Sequence, residues 1–126
     1  MAPPHQVSIL VVDDFAAWRQ QLRSMIEMRP GWSIIGEASD GQEAIEKATE
    51  MRPDIILLDV AMPSMNGIEA ARVIHQRCPK SKILFVTQDG DSDIRNAAMQ
   101  VGAMGYVLKS KAGNELLDAI AVALGR

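Results

Sequence analysis

Five polar residues stand at the ends of short apolar runs, where their side chains could do chemistry: Asp13, Asp14, Asp59, Thr87 and Lys109. Three of them are carboxylates, one is a hydroxyl and one is an ammonium group. Carboxylate oxygens without clustered His or Cys suit a hard cation, and Mg²⁺ in particular is held by one or two carboxylates together with a substrate phosphate. The set therefore indicates a site for Mg²⁺ and a phosphoryl group, provided that the fold brings these residues together.

Each residue also has a simpler explanation when it is taken alone. Asp14 could be a helix N-cap and Asp59 a turn residue, while Thr87 is a good β-former and Lys109 could be a solvated surface charge. Taken together, these explanations are insufficient, because three carboxylates at one sheet edge repel each other. At about 4 Å and an effective dielectric near 20, each like-charged pair costs roughly 4 kcal/mol. The combination therefore requires a cation.

The elements that must position these residues can be predicted from the apolar pattern. Short apolar runs predict strands over 7–12, 32–38, 55–58, 82–86 and 106–108. Helical spacing between them predicts five helices, of which the first contains Trp18 and Leu22, the fourth covers 91–101 and the last covers 114–124. This alternation predicts a doubly wound α/β fold, a parallel sheet with helices on both faces. Because parallel strands end at one edge, the five polar residues should converge there.

Composition narrows the class of protein. The 126 residues carry 13 basic and 16 acidic side chains for a net charge of −3, and only 4% are aromatic. Scattered basic residues make direct nucleic-acid binding a poor expectation. We expect no membrane segment, because no apolar run approaches the roughly 18 residues that span a bilayer. We expect a cytoplasmic location, because the single cysteine, Cys78, cannot form an internal disulfide. Residues 1–6 are predicted to be a flexible leader, and residues 7–126 one compact domain.

Several motifs resemble the receiver domain of bacterial response regulators over about residues 7–124. The resemblance is carried by the following segments: Val11-Val12-Asp13-Asp14, Leu57-Leu58-Asp59-Val60-Ala61-Met62-Pro63, Asn66-Gly67, Phe85-Val86-Thr87, Gly102-Ala103 and Gly105-Tyr106-Val107-Leu108-Lys109. Two further segments resemble the NarL/FixJ (LuxR-type) subgroup, namely Gly31-Trp32-Ser33-Ile34-Ile35-Gly36-Glu37-Ala38 and Lys109-Ser110-Lys111-Ala112. The resemblance implies a flavodoxin-like receiver fold with five strands in the order 2-1-3-4-5.

The resemblance also implies roles for individual residues. Asp59 would be the phosphoacceptor, and Mg²⁺ would be held by Asp13, Asp14, Asp59 and the backbone carbonyl of Ala61. Lys109 and Mg²⁺ would neutralise the phosphoryl oxygens, since nucleophile and phosphoryl group are both anionic. Two more residues complete the switch that the resemblance implies: Thr87 would hydrogen-bond the bound phosphoryl group, and Tyr106 would turn inward when Thr87 moves.

The implied partners follow from the same resemblance. A sensor histidine kinase or a phosphotransfer protein would donate the phosphoryl group, and activation would favour a homodimer. The output would be a population shift acting on a helix-turn-helix transcription domain or on another partner. The domain would be a signalling module rather than an enzyme, apart from its own phosphorylation and dephosphorylation.

Two departures from the receiver pattern bear on the lifetime of the phosphoryl group. Receivers commonly have a Pro, often after a cis bond, where this chain has Ser110, and a cis bond before Ser costs about 2.5 to 4 kcal/mol. The placement of Lys109 is therefore expected to differ slightly. Receivers often have a small residue directly after the Thr, where this chain has Gln88, followed by Asp89. We expect this pair to hinder or redirect attack at phosphorylated Asp59.

Other functional classes stay open at this point. A phosphatase resembling the haloacid-dehalogenase group would also use an Asp nucleophile, Mg²⁺, Thr and Lys, but its nucleophile follows the first strand with a second Asp two residues on. Here Asp13 and Asp14 are adjacent, which favours the receiver. A nucleotide or flavin binder would need a Gly-rich phosphate loop that the first strand lacks. A receiver-like scaffold without phosphorylation is disfavoured by the complete polar set.

Overall fold

Strands and helices alternate along the whole described part of the chain. The structure, a computed structural model, describes residues 6–125. The elements are β1 (Val7–Val12), α1 (Ala16–Glu27), β2 (Trp32–Ala38), α2 (Gly41–Met51), β3 (Ile55–Leu58), α3 (Gly67–Arg77), β4 (Lys82–Thr87), α4 (Ser92–Gln100), β5 (Gly105–Leu108), a 3-10 turn (Lys109–Lys111) and α5 (Ala112–Ala123). The predicted leader lies outside the described residues except for Gln6, which is exposed.

The predicted element boundaries are close to those observed, with one larger difference at the last helix. β4 extends one residue further, to Thr87, and β5 begins one residue earlier, at Gly105. The sequence predicts that the last helix begins at Asn114, whereas α5 begins at Ala112. The 3-10 turn leads directly into α5, so no capping residue marks the start of that helix in the sequence.

All five strands form one parallel sheet in the order β2-β1-β3-β4-β5, which confirms the predicted topology. Strand β1 has β2 on one side and β3 on the other, so the strand order reverses between β1 and β3. The carboxyl ends of β1 and β3 therefore lie side by side at the switch point, where open α/β sheets bind their ligands.

Alternate residues of the strands pack into two cores, one on each face of the sheet. On one face, β1, β3 and β4 bury residues such as Leu10, Ile56 and Phe85 against α2, α3 and α4. On the other face, the neighbouring residues of the same strands pack against α1 and α5, with Leu22 and Leu116 among them. Burial on both faces explains the continuous apolar runs from which the strands were predicted. No helix among residues 6–125 is long and apolar enough to cross a membrane.

The loop after β3 returns to the sheet through a close backbone contact at Gly67. The Gly67 amide donates a hydrogen bond of 2.8 Å to the Val60 carbonyl, and the Asn66 side chain caps α3 by accepting from the Glu69 amide at 2.9 Å. A Cβ atom on Gly67 would overlap the backbone carbonyl of Asp59. Only glycine therefore allows α3 to begin this close to the end of β3.

This contact generates a stability prediction. We expect Gly67→Ala to lower the free energy of unfolding by about 3 kcal/mol, because the added methyl group must displace the backbone that follows β3. Gly113→Ala is the matched control: it lies in the first turn of α5, where an added Cβ meets no atom within 4 Å. That change should raise stability by about 0.5 to 1 kcal/mol through helix propensity. Urea unfolding of both variants measures the difference, and equal effects would contradict the prediction.

Candidate functional site

Three carboxylates converge at the switch point of the sheet. Asp13 and Asp14 follow β1, and Asp59 follows β3. One carboxylate oxygen from each lies within 4.8 Å of the others. Asp13 and Asp59 are buried, with 1% and 5% of their surfaces exposed, whereas Asp14 is exposed. The expectation that the parallel topology would bring these acids together is confirmed.

The Lys109 ammonium group lies among these carboxylates. Its Nζ atom is 2.7 Å from Asp13 Oδ2 and 3.2 Å from Asp59 Oδ2, and 14% of its side chain is exposed. Lys109 follows β5, two strands away from β3, so its long side chain extends across the end of β4 to reach the acids. One internal cation therefore serves two buried carboxylates, and the site still carries excess negative charge.

Burial and charge shift the titration of this group. Burial raises the pKa of Asp13; hydrogen bonds from Lys109 and from the Phe15 amide oppose that shift, and the nearby charge of Asp59 adds to it. Burial lowers the pKa of Lys109, but the hydrogen bond and charges of Asp13 and Asp59 more than offset it, so that the net direction is upward. Lys109 therefore stays charged at neutral pH, while the ionised form of Asp13 is stabilised incompletely.

Backbone groups fix the orientation of both buried acids. The Asp13 amide donates to the Ala38 carbonyl at 3.0 Å, and Asp13 Oδ1 accepts from the Phe15 amide at 2.8 Å. The Asp59 amide donates to the Val12 carbonyl at 3.1 Å. The simpler explanation of Asp14 as a helix cap is wrong, because the N-cap position of α1 is Phe15 and has no side-chain cap.

Thr87, Tyr106 and Asp89 form a hydrogen-bonded group beside Asp59. Thr87 is buried at the end of β4, and its Oγ1 accepts from the Asp89 amide at 3.3 Å. The Tyr106 hydroxyl donates to the Asp89 carbonyl at 2.5 Å. Burial raises the pKa of the half-buried Tyr106, and the charge of Asp89 adds to that rise. Thr87 and Tyr106 are thus connected through the backbone of Asp89.

Two cavities open beside Asp59. One, of about 380 Å³, is lined by residues that include Asp14, Gln88 and Lys109. The other, of about 270 Å³, is lined by Asp59, Ala61, Thr87, Gln88 and Asp89. The exposed Gln88 borders both cavities, and the half-buried Asp89 borders the second. Both residues border the approach to Asp59, and their effect on attack at phosphorylated Asp59 stays a prediction.

A cavity of about 410 Å³ lies at the other end of the sheet, lined in part by Arg52, Cys78 and Ser81. Arg52 precedes β3 and Ser81 precedes β4, so this cavity faces the amino ends of the strands. None of the three clustered carboxylates borders it. Cavity volume alone therefore does not identify the candidate site, whereas charge and burial do.

The Lys109–Ser110 peptide bond is trans, and residues 6–125 contain no cis peptide bond. Lys109, the first residue of the 3-10 turn that includes Ser110, nevertheless reaches both buried carboxylates. The exposed Ser110 makes no part of either cavity beside Asp59. Ser110 therefore bears on the site only through the backbone that carries Lys109.

Sequence reasoning missed two residues of α1 that contact the site. The Trp18 ring centroid lies 5.4 Å from Lys109 Nζ, within the range of a cation–π interaction. Arg19 donates from Nη1 to the Asp13 carbonyl at 2.6 Å. Helical spacing places Trp18 in the first helix but does not indicate its contact with Lys109. Their sequence positions could have indicated these contacts. The first turn of a helix that directly follows a strand lies next to the end of that strand, and two acidic residues follow β1.

Comparisons with known proteins agree with this geometry. A family model described as the response regulator receiver domain matches residues 9–121. The transcriptional regulatory protein LnrK of Bacillus subtilis (strain 168) is 37% identical over 114 residues, covering 90% of this chain and 52% of LnrK. The chemotaxis protein CheY of Thermotoga maritima is 35% identical over 112 residues, covering 89% of this chain and 92% of CheY. A LuxR-family two-component response regulator from Aurantimonas sp. SI85-9A1 has a TM-score of 0.90 at 39% identity, covering 96% of this chain and 87% of that one.

The lengths of these relatives differ. The chain spans about half the length of the transcriptional regulatory proteins that it matches. It spans nearly all of the chemotaxis protein. The shared part is therefore the domain that contains the acidic site.

The ion pairs of Lys109 generate a second stability prediction. Without divalent cations, Lys109→Met should lower the free energy of unfolding by about 3 kcal/mol, because the buried Asp13 and Asp59 carboxylates lose their only nearby ammonium group among the described residues. Adding Asp13→Asn should recover part of this loss. The exposed Lys111 supplies the control, and Lys111→Met should change stability by less than about 0.5 kcal/mol. Chemical denaturation tests this, and equal effects of the two Lys substitutions would refute it.

Proposed function

The chain belongs to the response regulator receiver domain family, a family of two-component signalling domains, and from its site we propose that Asp59 accepts the phosphoryl group. Phosphoryl transfer to an aspartate is the general function of this family. Family membership also favours the receiver over the phosphatase and nucleotide-binding alternatives.

One observation carries the choice of Asp59: of the three clustered carboxylates, only Asp59 borders both cavities. Asp14 borders one of them, and Asp13 borders neither. Asp59 also lies between the ammonium group of Lys109 and the Thr87 side of the site. A donor entering either cavity would thus meet the Asp59 carboxylate.

The proposed transfer is a displacement at phosphorus. A carboxylate oxygen of Asp59 forms the new O–P bond as the N–P bond of a phosphohistidine breaks, and the electron pair of that bond stays on the imidazole nitrogen. Lys109 neutralises charge on the phosphoryl oxygens and holds the Asp59 carboxylate in place. The donor would be a sensor histidine kinase or a phosphotransfer protein. Its phosphohistidine, protonated on the ring nitrogen that does not carry phosphorus, would leave as neutral imidazole.

The donor set fits Mg²⁺. Three carboxylates provide hard ligands, since one oxygen from each lies within 4.8 Å of the others. The ionised form of Asp13 is incompletely stabilised by Lys109 alone. Asp13, Asp14, Asp59 and the carbonyl of Ala61 would hold the ion. Bound Mg²⁺ would supply charge neutralisation for the carboxylates and for the incoming phosphoryl oxygens.

The signal would be a rearrangement of the hydrogen bonds at Asp89. Thr87 Oγ1 now accepts from the Asp89 amide and still carries a proton that it can donate to a phosphoryl group on Asp59. Movement of Thr87 toward that group would break its bond to Asp89 and release the carbonyl that holds the Tyr106 hydroxyl. Tyr106 would then turn inward. A shift from 1:99 to 99:1 requires about 5.5 kcal/mol of preference for the active arrangement.

The kind of domain that this receiver controls is inferred from the proteins that it matches. We infer that residues 7–126 form the receiver domain of a NarL/FixJ-type (LuxR-type) regulator, in which a helix-turn-helix domain would control transcription. The transcriptional regulatory relatives are about twice as long as the segment that matches this chain, which supports a transcriptional output domain. The chemotaxis protein, which the match covers almost entirely, supports a stand-alone receiver as the alternative. Phosphorylation would favour a homodimer in the first case.

We expect phosphorylation of Asp59 to give a covalent adduct of the chain. Incubation with acetyl phosphate and Mg²⁺ should add one phosphoryl group to the chain, visible by intact-mass measurement. Asp59→Asn should prevent the adduct, because the amide lacks the nucleophilic carboxylate. Omission of Mg²⁺ should reduce its formation. The exposed Asp93 provides a matched control, so Asp93→Asn should behave like the wild type. Steady hydrolysis without an adduct would instead indicate a phosphatase.

A second prediction concerns the lifetime of the adduct. Because Gln88 and Asp89 border the cavities beside Asp59, Gln88→Ala and Asp89→Ala should each speed dephosphorylation several-fold by opening the path of water. The decay of the adduct after donor removal measures this rate. Ser92→Ala, on the exposed start of α4 and outside both cavities, is the control. Decay at the wild-type rate in both cavity variants would rule out the hindrance.

A further inference from the structure

Arg19 joins the acidic turn after β1 to the edge strand β2. Its Nη1 donates to the Asp13 carbonyl at 2.6 Å, and its Nε donates to Glu37 Oε1 at 2.8 Å. We propose that Arg19 is a positioning residue that sets the affinity of the acidic site for Mg²⁺. The inference rests on the proposed Mg²⁺ site and deepens it.

The turn that carries Asp13 and Asp14 has few other restraints. Helices α2, α3 and α4 each begin with a side-chain cap, provided by Asp40, Asn66 and Asp91. Helix α1 begins without one. Besides the bonds of the Asp13 amide and carboxylate, the Arg19 contact is the hydrogen bond that holds the Asp13 carbonyl. It therefore restrains the peptide unit between the two acids.

Arg19 is itself held firmly. Glu37 accepts from Arg19 through one carboxylate oxygen and from Arg23 through the other, at 2.7 Å. Lys47 donates to the Glu37 backbone carbonyl. Hydrogen bonding from Arg23 lowers the pKa of Glu37, with Arg19 contributing in the same direction against the effect of burial. Only 18% of the Arg19 side chain is exposed, and its guanidinium group links the Asp13 carbonyl to the anchored Glu37.

Arg23 offers a matched comparison. Both arginines carry one positive charge on α1 and both pair with Glu37, but Arg19 alone of the two contacts Asp13. If each arginine acted only through charge, removing either would make the acidic site more negative and would tighten Mg²⁺ binding. A positioning role predicts the opposite for Arg19. The sign of the effect therefore separates the two mechanisms.

The experiment measures Mg²⁺ affinity from the rise in melting temperature with Mg²⁺ concentration, each variant being compared with its own metal-free state. Arg19→Met should raise the Kd for Mg²⁺ about 10-fold, as expected when a partner that orients metal ligands is lost. Arg23→Met should leave the Kd unchanged or lower it. The phosphorylation rate of Arg19→Met with acetyl phosphate should return to the wild-type value at saturating Mg²⁺, since Asp59 and Lys109 remain.

A charge-conserving pair covers the case in which Arg19→Met does not fold. A lysine ammonium at position 19 cannot reproduce the fork that joins Asp13 to Glu37, so Arg19→Lys should weaken Mg²⁺ binding relative to Arg23→Lys. Equal Mg²⁺ affinities within each matched pair would overturn the role of Arg19 while leaving the metal site in place. A wild type whose stability does not respond to Mg²⁺ would overturn the metal site, and the Arg19 inference with it.

Discussion

The repulsion among three carboxylates at one sheet edge is the constraint on which the rest of this structure depends. One oxygen from each lies within 4.8 Å of the others, and two of the three acids are buried. Lys109 offsets this repulsion through two ion pairs but leaves the burial of Asp13 incompletely compensated. A partly buried acidic cluster of this kind favours a further cation. The repulsion among the three carboxylates is thus a property of the folded chain itself.

The three carboxylates stay close together despite their repulsion because the strands that carry them are packed against helices on both faces of the sheet. Each central strand alternates its apolar side chains between the core under α1 and α5 and the core under α2, α3 and α4. Slippage by one residue would exchange the two faces and move the terminal acids away from the site. Core packing therefore fixes the positions of Asp13 and Asp59, and the polar residues at the strand ends depend on apolar residues some distance from them.

The central site was predictable because it depends on strand ends, and strand ends are visible in the apolar pattern. Asp13, Asp59, Thr87 and Lys109 converge as expected once the strands are parallel. Contacts made by helix side chains were harder to foresee. Arg19 could equally have been a solvated residue, because its contact depends on the rotation of α1 and on the fork of its guanidinium group. The early start of α5 was missed because a 3-10 turn, and no capping residue, precedes it.

The β1 side of the site is held more firmly than the β4 side. A conformational switch at the site would therefore move the β4 side. On the β1 side, Asp13 is restrained by backbone pairing to β2, and Arg19 ties its carbonyl to Glu37. On the β4 side, Thr87 and Tyr106 are linked by hydrogen bonds to the backbone of Asp89, which follows the exposed Gln88 in the same loop. Hydrogen bonds in such a loop exchange with water at small net cost, about 0.5 to 1.5 kcal/mol each. If Asp59 is phosphorylated as proposed, the phosphoryl group would lie between a firmly held Asp13 and the rearrangeable donor Thr87. The change in structure should then occur on the side of β4 and β5.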